Sequence, residues 1–180
     1  VVDTLLPASR AEINMTQRLA VISGLTGGAN ETYVVSAVSN AGEGNRSEPL
    51  SVSSCPPAVG GLSSLSQTTS AIVLTWAAPT ITTGLPVMSY TVKRNNGTLS
   101  ADVSVAVVCD GTALATTCNV SGLEGGRVYD LQVSATSLAG EGFYSTSLPV
   151  ATAPAAVSAS SVSGSLMTST SMSLTWEEPV

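Results

Sequence analysis

Histidine is absent from this chain of 180 residues, lysine and phenylalanine each occur once, and aromatic residues make up only 4% of the sequence. A serine or cysteine nucleophile usually needs a His or Lys base within reach. Lys93, next to Arg94 in a strand-like stretch, does not provide one, so no catalytic triad and no catalytic residue is expected. Charge is also scarce, at 10% of residues with a net charge of −6 and a pI near 4.3. Nucleic-acid binding needs clustered Lys and Arg to neutralise phosphates, and six scattered basic residues exclude that partner. Three isolated cysteines without histidine do not make a zinc site. The acids are too dispersed for a calcium loop, and the adjacent Glu177 and Glu178 are expected to be a solvated turn. No metal and no cofactor is therefore expected. No apolar run approaches the ~18 residues that span a bilayer, and residues 1–6 lack the regions of a signal peptide. Membrane attachment is expected only through segments outside this sequence.

What the chain has instead is Ser, Thr, Ala, Val and Gly, so hydroxyls rather than charges keep it soluble. Five of its seven asparagines, Asn14, Asn30, Asn45, Asn96 and Asn119, open N-x-S/T sequons. That density points to a glycoprotein made on a secretory route, extracellular or on a cell surface. Cysteine is present in an odd number, Cys55, Cys109 and Cys118, so at least one is free or pairs with something outside these residues.

The sequence repeats itself. Val21-Ile-Ser-Gly-Leu25 recurs as Asn119-Val-Ser-Gly-Leu123, Val35-Ser-Ala37 as Val133-Ser-Ala135, and Ala41-Gly-Glu-Gly44 as Ala139-Gly-Glu-Gly142, each displaced by 98 residues. The run ending Leu74-Thr-Trp76 recurs as Leu174-Thr-Trp176, with Pro79 and Pro179 at equal distance, displaced by 100. A fixed long period signals an array of like units. The expected organisation is the C-terminal part of a first unit in residues 1–54, a complete unit in 55–153, and the opening strands of a third in 154–180, the whole being a fragment of something longer. Short junctions, Ser53-Ser-Cys-Pro-Pro57 and Ala151-Thr-Ala-Pro154, are stiffened by proline.

Within the middle unit, Ile72, Leu74 and Trp76 alternate with Ala71, Val73 and Thr75, which puts the large groups on one face of a strand. Further strands are expected near 59–66, 87–94, 101–108, 116–121, 127–137 and 144–151. Turns at Asn95-Asn-Gly97 and Asp110-Gly111 break them, and no long helical period appears. The reading is all-β: a seven-stranded antiparallel sandwich.

These residues resemble the fibronectin type III module. The resemblance rests on Trp76 followed by Pro79, on Tyr90 and Val92, and on Leu123-Glu-Gly-Gly-Arg-Val-Tyr129 running into Leu131, Val133, Ala135 and Ala139-Gly140. It implies tandem immunoglobulin-like sandwiches, with Trp76, Tyr90, Leu123, Tyr129 and Trp176 in their cores. It also implies a tyrosine corner in which the Tyr129 hydroxyl bonds to nearby backbone. The first copy departs from the pattern, with Glu31 at the place of Tyr129. Either Tyr33 fills an inward position without a corner bond, or the strand shifts register by two.

Cys109 and Cys118 flank an eight-residue loop. They either close a small disulfide ring, worth about 2–3 kcal/mol by chain entropy, or sit as two small buried hydrophobes. Cys55, before Pro56-Pro57, is available to a cysteine elsewhere. Phe143 and Tyr144 form either a contact patch or ordinary strand packing. The Ala-Gly-Glu-Gly loops lack phosphate-loop spacing and a following helix, and carry no Arg-Gly-Asp triplet of the kind integrin-binding members of the family place there. The function expected is a non-catalytic extracellular spacer or scaffold offering adhesive, protein-binding surfaces. The alternative is an accessory linker of a larger secreted or membrane-bound enzyme, a carbohydrate-active enzyme or a receptor phosphatase.

Overall fold

The computed structural model describes residues 2–3, 10–14, 19–95, 105–107, 114–165 and 167–178. Its strands are β1 (Val2–Asp3), β2 (Arg10–Asn14), β3 (Leu19–Ser23), β4 (Asn30–Val35), β5 (Val38–Ser39), β6 (Gly42–Glu43), β7 (Leu50–Ser53), β8 (Gly60–Gln67) and β9 (Ala71–Ala77). They continue as β10 (Ser89–Asn95), β11 (Val105–Val107), β12 (Thr117–Ser121), β13 (Val128–Ser137), β14 (Gly140–Glu141), β15 (Leu148–Ala151), β16 (Ser163–Ser165) and β17 (Ser173–Thr175). One short 3-10 turn, Ala159–Ser161, is the only helical element among the described residues. The pairings of β1 with β4, β2 with β3, β4 with β7, β5 with β6, β9 with β12, β10 with β11, β13 with β14 and β15, and β16 with β17 are all antiparallel, as expected of an all-β chain. The main sheets run β12-β9-β8, β11-β10-β13-β14 with β15 also on β13, and β1-β4-β7. The chain divides into two units, Val1–Gly60 with Ala78–Thr91 and Ser134–Ser145, and Gly61–Ala77 with Val92–Val133 and Thr146–Val180.

The second unit holds most of the core. Along β9, Ile72, Leu74 and Trp76 are buried while Ala71, Val73 and Thr75 are half-exposed. The period-2 geometry of a strand turns that alternation directly into an inner and an outer face. Beside β9, β12 brings Cys118 opposite Leu74 and Val120 opposite Ile72, all four fully or almost fully buried. Burying side chains of this size contributes about 1.5–3 kcal/mol each. Thr68 shapes the turn between β8 and β9: its Oγ1 accepts from the amide of Ala71 at 2.9 Å and of Ser70 at 3.3 Å. Such a side-chain turn closes a hairpin without glycine.

Tyr129 is 4% exposed, and its hydroxyl accepts a 2.8 Å hydrogen bond from the Glu124 amide. The six-residue step from Leu123 to Tyr129 thus returns the ring to the loop it left. Nearby, Thr152 Oγ1 donates to the Glu124 carbonyl at 2.7 Å and accepts from the Arg127 amide at 3.0 Å. The loop 124–127 is therefore tied from both ends.

In the first unit β4 pairs with β7 in the register Glu31↔Val52 and Tyr33↔Leu50. In the second unit β13 pairs with β15 as Tyr129↔Val150 and Leu131↔Leu148. Displacing the first set by 98 gives the second, so the register does not shift. Tyr33 occupies the place of Leu131 and Glu31 that of Tyr129. The Tyr33 hydroxyl donates to Glu31 Oε2 instead of reaching loop backbone, so the first copy has no corner bond of the Tyr129 type.

Trp176 differs from the core position expected for it. The hairpin β16-β17 aligns Gly164 with Leu174, and Met172, Leu174 and Trp176 are 56%, 52% and 61% exposed. At Ile72, Leu74 and Trp76 the same chemistry is covered because β9 lies in a three-stranded sheet over a filled core. Among the described residues the hairpin has only its two strands. Tyr90 is half-buried rather than fully enclosed, and desolvation raises its pKa above the ordinary tyrosine value. The last strand of the middle copy begins at Leu148 rather than near 144; residues 142–147 form no strand, and Ser145 among them is buried.

Candidate functional site

No group of three or more His, Cys, Asp or Glu able to hold a metal occurs among the described residues. No described helix is long and apolar enough to cross a membrane. Two ion pairs, Arg127 with Glu124 at 3.2 Å and Arg46 with Glu43 at 3.9 Å, join exposed side chains three residues apart. Pairs of that kind contribute little, about 0–1 kcal/mol. What the structure builds with care lies elsewhere, where three stretches of the first unit meet: loop 24–29, the segment 54–57, and loop 80–84.

Gly28 is the centre of that meeting point. It is buried and holds a left-handed φ of 69°, which suits a residue without Cβ. Its amide donates to the Cys55 carbonyl at 2.8 Å and its carbonyl accepts from the Gly84 amide at 3.0 Å. Two residues on, the Asn30 amide donates to Thr83 Oγ1 at 3.0 Å. Ser54 closes the remaining side, its Oγ donating to the Thr26 carbonyl at 2.7 Å and accepting from the Ala29 amide at 3.1 Å. Beside this contact an apolar groove of about 440 Å³ is lined by Ile22, Leu25, Cys55, Pro57 and Phe143, among others.

Several of these bonds recur 98 residues on. Gly126, with φ 70°, donates to the Ala153 carbonyl at 3.0 Å as Gly28 does to Cys55, and Thr152 makes the bonds of Ser54. The Ser36 hydroxyl donates to Glu43 Oε1 at 2.5 Å, and the Ser134 hydroxyl to Glu141 Oε1 at 2.5 Å. Gly42 and Gly140 both have φ 121°. The Ser-to-Glu bond explains why the Ala-Gly-Glu-Gly loops keep a carboxylate: it ties the loop to its own strand, and it is not aimed at a ligand. Sequence reading missed this bond, although Ser and Glu both stand in the repeated blocks.

The residues singled out in sequence scatter. Asn30 and Asn45 are exposed, and Asn30 Oδ1 accepts from Ser53 Oγ at 3.4 Å. Asn119 lies half-buried in β12, with Oδ1 buried and unbonded. Asn14 is in β2, and Asn96 lies outside the described residues. Cys118 is 1% exposed in β12, and its expected partner Cys109 also lies outside them. Cys55 is free, and its Sγ donates to the Ala139 carbonyl at 3.2 Å. Phe143 is 84% exposed, which removes it from strand packing, whereas the Tyr144 hydroxyl donates to Glu141 Oε1 at 2.6 Å.

Burial and the neighbouring Glu31 carboxylate, which accepts its proton, push the Tyr33 phenol up to about 12. Arg94 stands 6.0 Å from the centre of the Tyr129 ring, at the outer limit of a cation–π contact.

Comparisons with known proteins agree with this geometry. The family model of the fibronectin type III domain matches residues 56–151. A curated relative, chitinase A1 of Niallia circulans, is 33% identical over 137 residues, which is 71% of this chain and 18% of that protein. The chain thus spans less than a fifth of the relative's length. Among solved structures, titin domains A168–A170 superpose with a TM-score of 0.50 at 20% identity, covering 84% of this chain and 51% of that one. Chicken CNTN1 domains FN1–FN3 give 0.47 at 17% identity over 74% and 47%. The chain belongs to the fibronectin type III domain family.

Proposed function

We propose that the chain is a non-catalytic spacer: tandem fibronectin type III modules, divided at 1–54, 55–153 and 154–180, that hold neighbouring parts of an extracellular protein apart. The observation that carries this reading is the bonding of loop 24–29 to 54–57 and 80–84, which makes the stretch between adjacent copies a bonded contact and not a free linker. The recurrence of φ values and hydrogen bonds at a displacement of 98 supports the tandem arrangement. The sequons support the extracellular location. A Cys109–Cys118 disulfide fits a buried Cys118 beside a single free cysteine, Cys55, among the described residues.

Fold alone does not choose what the spacer serves. A specific observation favours the accessory reading, in which the modules separate parts of a larger carbohydrate-active enzyme: the relative at 33% identity is a chitinase. Adhesive contact with protein partners is the other reading, and exposed Phe143 is the side chain best placed for it. Purified chain incubated with chitin and with soluble chitin oligomers is expected to release no product and to stay in the supernatant. Turnover by the chain would overturn the spacer reading, and retention on chitin would replace it with a binding module.

A further inference from the structure

We propose that Asn45 is the attachment point of an N-linked oligosaccharide in the folded chain and that Asn119 is not, although both open sequons. The inference rests on the extracellular reading above and names the site that such a location would use.

A sequon carries a glycan only where the folded chain leaves room for a bulky, hydrated group, which means a surface loop. Three of the four sequon asparagines among the described residues, Asn14, Asn30 and Asn119, stand in paired strands. Asn14 ends β2 opposite Leu19. Asn30 opens β4 opposite Ser53, with its amide held by Thr83 Oγ1 and its Oδ1 by Ser53 Oγ. Asn119 lies in the middle of β12 opposite Val73, half-buried, and its Oδ1 is shut away from solvent. A sugar ring on the neighbouring Nδ2 would have to lift that side chain off the sheet.

Asn45 differs on each count. It lies in the strand-free stretch 44–49 between β6 and β7 and is exposed, as are Arg46 and Ser47. The loop around it is nevertheless held. The Gly44 amide donates to the Ala37 carbonyl at 2.8 Å and the Ser47 amide to the Val35 carbonyl at 2.8 Å. Ser47 Oγ accepts from the Val35 amide at 3.0 Å. Asn45 therefore sits on a short span tied at both ends, with its own side chain in water.

The repeat shows independently which way this place faces. Displaced by 98, Asn45 falls on Phe143, and the Gly142 amide donates to the Ala135 carbonyl at 2.8 Å as Gly44 does to Ala37. Phe143 is 84% exposed, so a side chain at this place stands in solvent even when it is apolar. The first copy puts an acceptor amide there. Attachment is a group transfer: Asn45 Nδ2 forms a bond to the anomeric carbon of an oligosaccharide carried on a polyprenyl diphosphate. The bond from that carbon to the diphosphate oxygen breaks, the diphosphate leaves, and the amide gives up one proton.

The 180-residue chain, secreted from cultured animal cells behind an added signal peptide, tests this. Folded chain is purified and digested, and the peptides are treated with peptide N-glycosidase in heavy-oxygen water, which turns each glycosylated Asn into a mass-tagged Asp. The tag is expected at Asn45 in most molecules and not at Asn119. Asn45→Gln should remove it without moving the urea midpoint, and Ser47→Thr, which keeps both sequon and hydroxyl, should retain it. An untagged Asn45, or Asn119 tagged as often as Asn45, would overturn the assignment. The natural protein treated in the same way tests the location separately. A bare Asn45 there, beside a tagged one in the secreted chain, would sink the extracellular reading and leave the site's ability to accept a glycan standing.

Discussion

Tyr129→Phe isolates one bond. The substitution keeps the ring, its burial and its place opposite Val150, and removes only the oxygen that accepts from the Glu124 amide at 2.8 Å. A typical hydrogen bond contributes about 1 kcal/mol, and a fully buried amide left without a partner costs up to about 3 kcal/mol. Glu124 lies in an exposed loop and the bond is only part-buried, so water relieves some of that cost and the expected loss is about 1.5 kcal/mol. With a urea slope of about 1.5 kcal/mol per molar for a domain of this size, the midpoint should fall by about 1 M. Hydrogen exchange supplies the residue-specific reading: the Glu124 amide should exchange about tenfold faster, while amides in β9 follow only the global change. A midpoint that moves by less than about 0.2 M with an unchanged Glu124 amide would refute the corner bond.

Trp76→Ala removes the largest side chain of β9 and should cost about 3–5 kcal/mol in urea melts followed by circular dichroism; a loss under about 1 kcal/mol would mean the strand register is wrong. For Tyr33 the folded-state pKa, about 12, lies above the ordinary value of 10.0. The folded state therefore holds this proton more tightly, its contribution is complete below pH 10, and it is lost as pH rises toward 12. Absorbance at 295 nm should show one tyrosine titrating near 12, and Glu31→Gln should bring that midpoint down. Thiol labelling of the native protein should modify one cysteine, Cys55, and all three after reduction under denaturing conditions. Three reactive thiols before reduction would remove the Cys109–Cys118 pairing.

The sequence revealed most where side chains carry the signal. Alternation at Ile72, Leu74 and Trp76 gives the inner face of β9 because burial and strand period are the same fact seen twice. The corner at Tyr129 was legible through the resemblance of Leu123-to-Tyr129 to the family's pattern, and the bond of its hydroxyl to the Glu124 amide bears it out. It was less legible where the outcome depends on what covers a residue: Trp176 repeats the chemistry of Trp76, yet stands exposed because its hairpin lacks a covering sheet among the described residues. The contact at Gly28 was least legible. Its atoms are backbone atoms, and Gly27-Gly28 and Gly84 read in sequence as ordinary turn residues. The choice at Tyr33 was open for a related reason, since an inward tyrosine and a shifted strand give the same string. Pairing of Glu31 with Val52 decides it.

The most direct test of the spacer account is a module exchange in the natural protein, replacing residues 56–151 with an unrelated fibronectin type III module of equal length. The account predicts that the natural protein's activity or binding is retained after the exchange and reduced when a flexible Gly/Ser linker of the same residue count takes that place. Loss of function on exchanging the folded module, with expression and stability preserved, would contradict it by showing that the surface of these residues, and not their length and stiffness, does the work.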